Sequence, residues 1–201
     1  MWKGYIQGLL DYGSQVWAPV KSTQLLKLEI LQKSYTNRII DLSDCNHWEK
    51  LQKLKMYSVE RRFQRYAIIY IWKVLENKVD NFGVKWNQNV RRGRMIELPA
   101  RFPGNNTAAN NLREQSLIIR GGRIFNKLPH SLRNTSDVTL DTFKHRLDMF
   151  LQEIPDHPNV PGLDPEPVCK FTNRQSNDIG DWIDNLHLQD RRPNADLVSL
   201  F

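Results

Sequence analysis

The chain has 201 residues, 40% of them hydrophobic and 25% charged, enough apolar material for one domain with a buried core and too much for a chain disordered throughout. Its formal charge of +7 points to an anionic partner, since surplus Lys and Arg act on association more than on fold. Two cysteines, Cys45 and Cys169, exclude a disulfide framework or cysteine-rich zinc cluster, and neither a signal peptide nor a run of roughly 20 apolar residues is present, so the expectation is an intracellular protein, cytoplasmic or nuclear, with no membrane partner.

Residues 2–17 read as one helix with Tyr5, Ile6, Leu9 and Leu10 on one side, ending between Gly13 and Pro19 and opening at Met1 without a capping Ser, Thr, Asp or Asn. From 22 to 42, Ser22 or Thr23 can cap a helix in which Leu25, Leu28, Leu31, Tyr35 and Ile39 recur at helical spacing, predicting burial of that face. NHWEKLQKL, 46–54, predicts a shorter helix capped by Asn46. Ser58 opens another, to residue 77, whose Val59, Phe63, Tyr66, Ile69, Tyr70 and Val74 make a face broad enough for the centre of a bundle.

Residues 78–112 change character: Asn, Gly and Arg are frequent, and Pro99 and Pro103 interrupt any long element. MIEL, 95–98, and SLIIR, 116–120, read as short strands. Gly121 and Gly122 then precede a helical turn in RIFNKLP, stopped at Pro129. TLDTFKHRLDMFLQEI, 139–154, predicts a helix with Leu140, Phe143, Leu147 and Phe150 or Leu151 in register, capped by Asp137 or Thr139. Five prolines between 155 and 167 then mark a linker, and 155–201 reads as a flexible acidic tail. The expected fold is mainly α: a helical bundle over 1–77, a basic connector with short strands and a closing helical segment over 78–154, and the tail.

Charge is unevenly spread, with a net of +5 over residues 1–84, +7 over 85–127 and −5 over 128–201. In the middle stretch Arg91, Arg92, Arg94 and Arg101, with Trp86 and Phe102 nearby, are the main candidates for contacting phosphates and stacking on bases, against the plainer reading of a solvated basic loop. Arg61, Arg62 and Arg65, with Lys53 and Lys55, form a second candidate face that either tracks a nucleic-acid backbone or pairs with acids of another domain. Cys45 and His47 lack a second pair at zinc-ligand spacing, so no metal or cofactor is expected. Trp17, Trp48 and Trp72 read as core.

Two segments carry a resemblance. WKGYIQGLLDYGSQVWAP with the LLKLEILQKSYTNRII helix resembles the region just after the palm in reverse transcriptases of non-LTR, LINE-like retrotransposons of the jockey type, the matching positions being Leu10, Asp11, Tyr12, Gly13, Ser14, Val16 and Trp17. SLIIRGGRIFNKLPHSLRN followed by TLDTFKHRLD looks like that family's closing segment, with Phe125 where the family usually has Trp. The resemblance covers residues 2 to about 152. It implies a helical thumb-like bundle starting where the palm hands over, contact with RNA, DNA or an RNA–DNA hybrid, and a palm domain as a partner. Arg120 and Arg123 of the closing segment then join the contact set. Polymerisation in that family needs an aromatic-x-Asp-Asp pair holding two Mg2+ ions, and no Asp-Asp dipeptide occurs in the 201 residues. The expectation is a non-catalytic nucleic-acid-binding fragment of a reverse transcriptase, not an enzyme on its own; the alternative is a protein-interaction or decayed structural remnant.

Overall fold

Helix caps and apolar spacing account for most of the described chain. The structure, a computed structural model, describes residues 2–19, 21–39, 42, 45–81, 83–89, 93–104 and 106–156. The fold is mainly helical with one small antiparallel sheet. In place of the single helix expected over 2–17 stand a π-helical turn, Trp2–Ile6, then α1, Gln7–Asp11, and α2, Ser14–Trp17. The break falls at Gly13, whose φ of 64° suits a residue without a Cβ, and Trp17 Nε1 spans it by donating to the Tyr12 carbonyl at 2.8 Å. Trp17 is accordingly 42% exposed rather than core, while Trp48 and Trp72 are buried.

Next come α3, Ser22–Thr36, α4, His47–Lys53, and α5, Val59–Leu75. Asn46 caps α4 in a reciprocal box with Glu49, and Ser58 caps α5. β1, Lys85–Asn89, pairs with β2, Gly93–Glu97. Of the two strands, β2 was legible in MIEL and β1 was not. Nor was α6, Thr107–Gln115, or α8, His130–Arg133. Finally α9, Leu140–Glu153, is capped by Thr139 as expected. The expected tail from residue 157 onward lies outside the described residues.

SLIIR is not a strand. Ser116 caps α7, Leu117–Lys127, and the helix runs straight through Gly121 and Gly122. A Cβ at Gly121 would stand 3.0 Å from Ile71 of α5, and one at Gly122 would stand 2.9 Å from Leu98, just past β2. The two glycines therefore let α7 lie between α5 and the hairpin, and that close approach outweighs their poor helix propensity. Asn126 extends the contact. Its side chain accepts from Ile96 N at 2.7 Å and donates to Ile96 O at 2.9 Å, satisfying the backbone of β2 on the side away from β1. The Phe-Asn-x-Leu-Pro motif is thus structural: Phe125 and Leu128 are in the core, Asn126 holds the strand edge, and Pro129 precedes α8.

The main core joins α5, the hairpin, α7, α8 and α9, with Trp72 stacked on Phe143 at 4.4 Å between ring centres. The expected boundary at residue 77 does not divide two cores, because α5 packs on elements from both sides of it. A smaller cluster of Ala18, Leu25, Val59 and Phe63 joins α3 to α5.

The buried face of α3 differs from the expected leucine stripe. Leu25 is buried, but so are Glu29, Gln32 and Thr36, while Leu31 is 44% exposed. The reason lies at the start of α5, whose first N–H groups need acceptors. Glu29 accepts from Val59 N at 2.6 Å and Glu60 N at 3.4 Å, Ser58 Oγ accepts from Arg61 N, and Asp156 accepts from Ser58 N at 2.7 Å. Three segments distant in sequence converge on one helix terminus, and a buried carboxylate is favourable there because it meets unpaired donors and the positive end of the helix dipole.

Candidate nucleic-acid interface

Pro99, Pro103 and Gly104 keep the chain after β2 out of regular structure, and α6 then turns back to hold it. Arg113 donates from Nε to the carbonyls of Pro99 and Ala100, both at 3.0 Å, and also from Nη2 to Pro99 O. Asn110 grips Phe102 at both ends, accepting from its N–H at 3.0 Å and donating to its carbonyl at 3.3 Å. With its backbone fixed at three residues, the loop presents Phe102 at 52% exposure and the Arg101 side chain at 75%.

Glu114, next to Arg113, collects three guanidinium groups: Arg123 Nη2 at 2.5 Å, Arg113 Nη1 at 2.7 Å and Arg101 Nε at 3.6 Å. Partial desolvation pushes its pKa up, but the hydrogen bond and charge of Arg123 and the charges of Arg113 and Arg101 outweigh it, holding the carboxyl below its ordinary value. One negative charge against three positive ones leaves a surplus on a fixed loop beside an exposed ring. Such an arrangement suits a phosphate flanked by a stacked base.

The other candidate arginines are placed differently. Arg94 is buried, with Nη1 on Glu76 at 2.5 Å, Nε on the Arg133 carbonyl at 2.9 Å and Nη2 on the Thr135 carbonyl, so it anchors the hairpin rather than facing solvent. Arg61 is buried, donating to the Pro155 carbonyl at 2.8 Å near Asp156, and Arg62 is buried between Gln32, at 3.2 Å, and Asp11, at 3.6 Å. Arg65 makes a two-pronged pair with Asp148 at 2.5 and 2.7 Å, and that hydrogen bond raises its pKa despite partial burial. The acids expected in another domain are supplied by this chain, and Arg61, Arg62 and Arg65 form no open face. Arg120 is half-buried, donates to the Ala18 carbonyl at 3.1 Å and has its pKa lowered by desolvation. Arg91 and Arg92 lie outside the described residues.

Of the expected contact set, then, Arg101 and Arg123 come together, and Arg113 and Glu114 join them without having been singled out from the sequence. A signal for Glu114 was present, because Glu97 and Glu114 are the only acids between residues 85 and 127. An acid isolated in a basic stretch gathers the cations around it. No family model matches this chain, and no curated protein or solved structure matches it.

Proposed function

We propose that this chain is a non-catalytic nucleic-acid-binding portion of a non-LTR retrotransposon reverse transcriptase, contacting RNA, DNA or their hybrid through the loop after β2 and the exposed side of α7. The observation that carries the reading is the tethered loop, which holds Arg101 and Phe102 outward beside the guanidinium cluster on Glu114. The ordered sequence motifs and the absence of an Asp-Asp pair add the family and the lack of polymerase chemistry. The reading is tested by fluorescence anisotropy of a labelled single-stranded RNA and an RNA–DNA hybrid. Phe102→Ala should weaken the single strand by about 1–3 kcal/mol and leave the hybrid, whose bases are already stacked, much less affected. Arg101→Gln should weaken both, with melting temperatures unchanged. Failure of the folded wild-type chain to bind either probe at low salt would overturn the proposal.

A second reading, docking to a protein, is favoured by one feature. Tyr5, Leu9, Tyr12 and Val16, all within the first 16 residues, are 73–89% exposed, a local concentration of large apolar side chains at the surface. On the retrotransposon reading, a palm domain would cover it.

A further inference from the structure

Strand register places four hairpin side chains on one face. Trp86 pairs with Ile96 and Gln88 with Arg94, and directly opposed residues point to the same side of a sheet. Ile96 and Arg94 are buried on that face, whereas Trp86 and Gln88 extend past the edge of the core and wall a cleft of about 390 Å³ between the hairpin, the end of α5 and the segment after α8. The floor is rigid. Arg94 is locked to Glu76, and Gly93, at φ 71°, lies so close to Asn134 that a Cβ there would stand 2.3 Å from Asn134 Oδ1.

The rim has spare capacity. Asn77, Ser136 and Asp137 line the cleft together with Gln88 and Trp86, and all five are exposed. None of the Asn77, Gln88, Ser136 and Asp137 side chains, nor the Trp86 indole N–H, hydrogen-bonds to a described residue, although the Asp137 backbone N–H is held by Glu76 at 3.1 Å. An exposed aromatic ring sharing a cleft with amide, hydroxyl and carboxylate groups that are free of internal hydrogen bonds suits a flat, polar-edged ligand.

We propose that this cleft holds one unpaired nucleobase carrying an exocyclic amino group, stacked on Trp86 with its amino group donating to the Asp137 carboxylate. The proposal extends the nucleic-acid reading and rests on it, but its site is distinct from the Arg101 loop: it supplies base selection where that loop supplies phosphate contact. Uracil, with a carbonyl where cytosine has its amino group, meets the carboxylate with an acceptor and is disfavoured.

The test compares a short single-stranded RNA of cytidine, one of uridine and an abasic strand of equal length, titrated at fixed salt into the full chain, with free cytidine as a separate probe of the Trp86 indole resonance by NMR. Wild type should bind the cytidine strand more tightly than the uridine strand. Trp86→Ala should weaken the cytidine strand about five-fold or more without changing affinity for the abasic strand, and Asp137→Asn should abolish the preference for cytidine over uridine. If Trp86→Ala does not fold, Asp137→Asn, at an exposed position whose φ of 55° Asn also tolerates, carries the test. Folded variants with wild-type affinity and preference would overturn the cleft alone. If no strand binds, the nucleic-acid reading fails, and the cleft stands only if free cytidine shifts the Trp86 resonance.

Discussion

Arg94 and Arg101 lie in the same basic stretch and do opposite work. Arg101 is exposed and held by one long ion pair, so removing its charge should change stability by no more than about 0.5 kcal/mol. Arg94 satisfies a nearly buried carboxylate and two carbonyls, so Arg94→Gln should cost about 3–5 kcal/mol in urea denaturation by leaving Glu76 without its cation. An Arg94→Gln variant as stable as wild type would show that this anchor is not needed. The sequence made the charge density legible but not its direction. Arg94 reaches back 18 positions to Glu76 and forward 41 to Thr135, and no local pattern carries such distances.

At the scale of elements, what could be read were features enclosed within a few residues: the Asn46, Ser58 and Thr139 caps, the apolar spacing of α9 and part of that of α5, where Val59, Phe63, Ile69 and Val74 are buried but the fully buried Ile68 and Ile71 fell outside the expected face. What could not be read depended on partners. The buried face of α3 is polar because α5 begins against it, so leucine spacing named the wrong stripe. SLIIRGG has β-branched residues and two glycines, local marks of a strand and a turn, yet α5 and the hairpin leave room only for a helix with no side chain at two positions. Gly121→Val should therefore destabilise by roughly 1–3 kcal/mol in a thermal melt, by overpacking against Ile71 and Ala67. Gly8→Ala is the control. A Cβ there meets nothing within 4 Å, so helix propensity makes it neutral or mildly stabilising. A Gly121→Val variant that melts with wild type would contradict the close packing.

For the whole molecule, the segment after α9 matters more than its proline content suggests. Pro155 and Asp156 fall in the expected flexible tail, yet Asp156 accepts from the backbone and hydroxyl of Ser58, both at 2.7 Å, and lies beside Arg61, closing the chain back onto α5. Asp156→Ala should lower the unfolding free energy by about 1.5–3 kcal/mol, read by urea denaturation, the range for a hydrogen bond to a charged group. No change would mean that Glu29 and Ser58 suffice to cap α5. Such internal pairing consumes most of the arginines that the sequence offered as contacts, so that among the described residues the proposed interface rests on Arg101 and Arg123 around Glu114. The most direct test is the slope of log affinity for single-stranded RNA against log salt, measured for wild type, the Arg101→Gln/Arg123→Gln double variant and Glu114→Gln. The double variant should remain folded and flatten the slope by about 0.7 for each phosphate it no longer neutralises, while Glu114→Gln, by unmasking a positive charge, should tighten binding and steepen the slope. An unchanged slope in the folded double variant would contradict an interface built on Arg101 and Arg123.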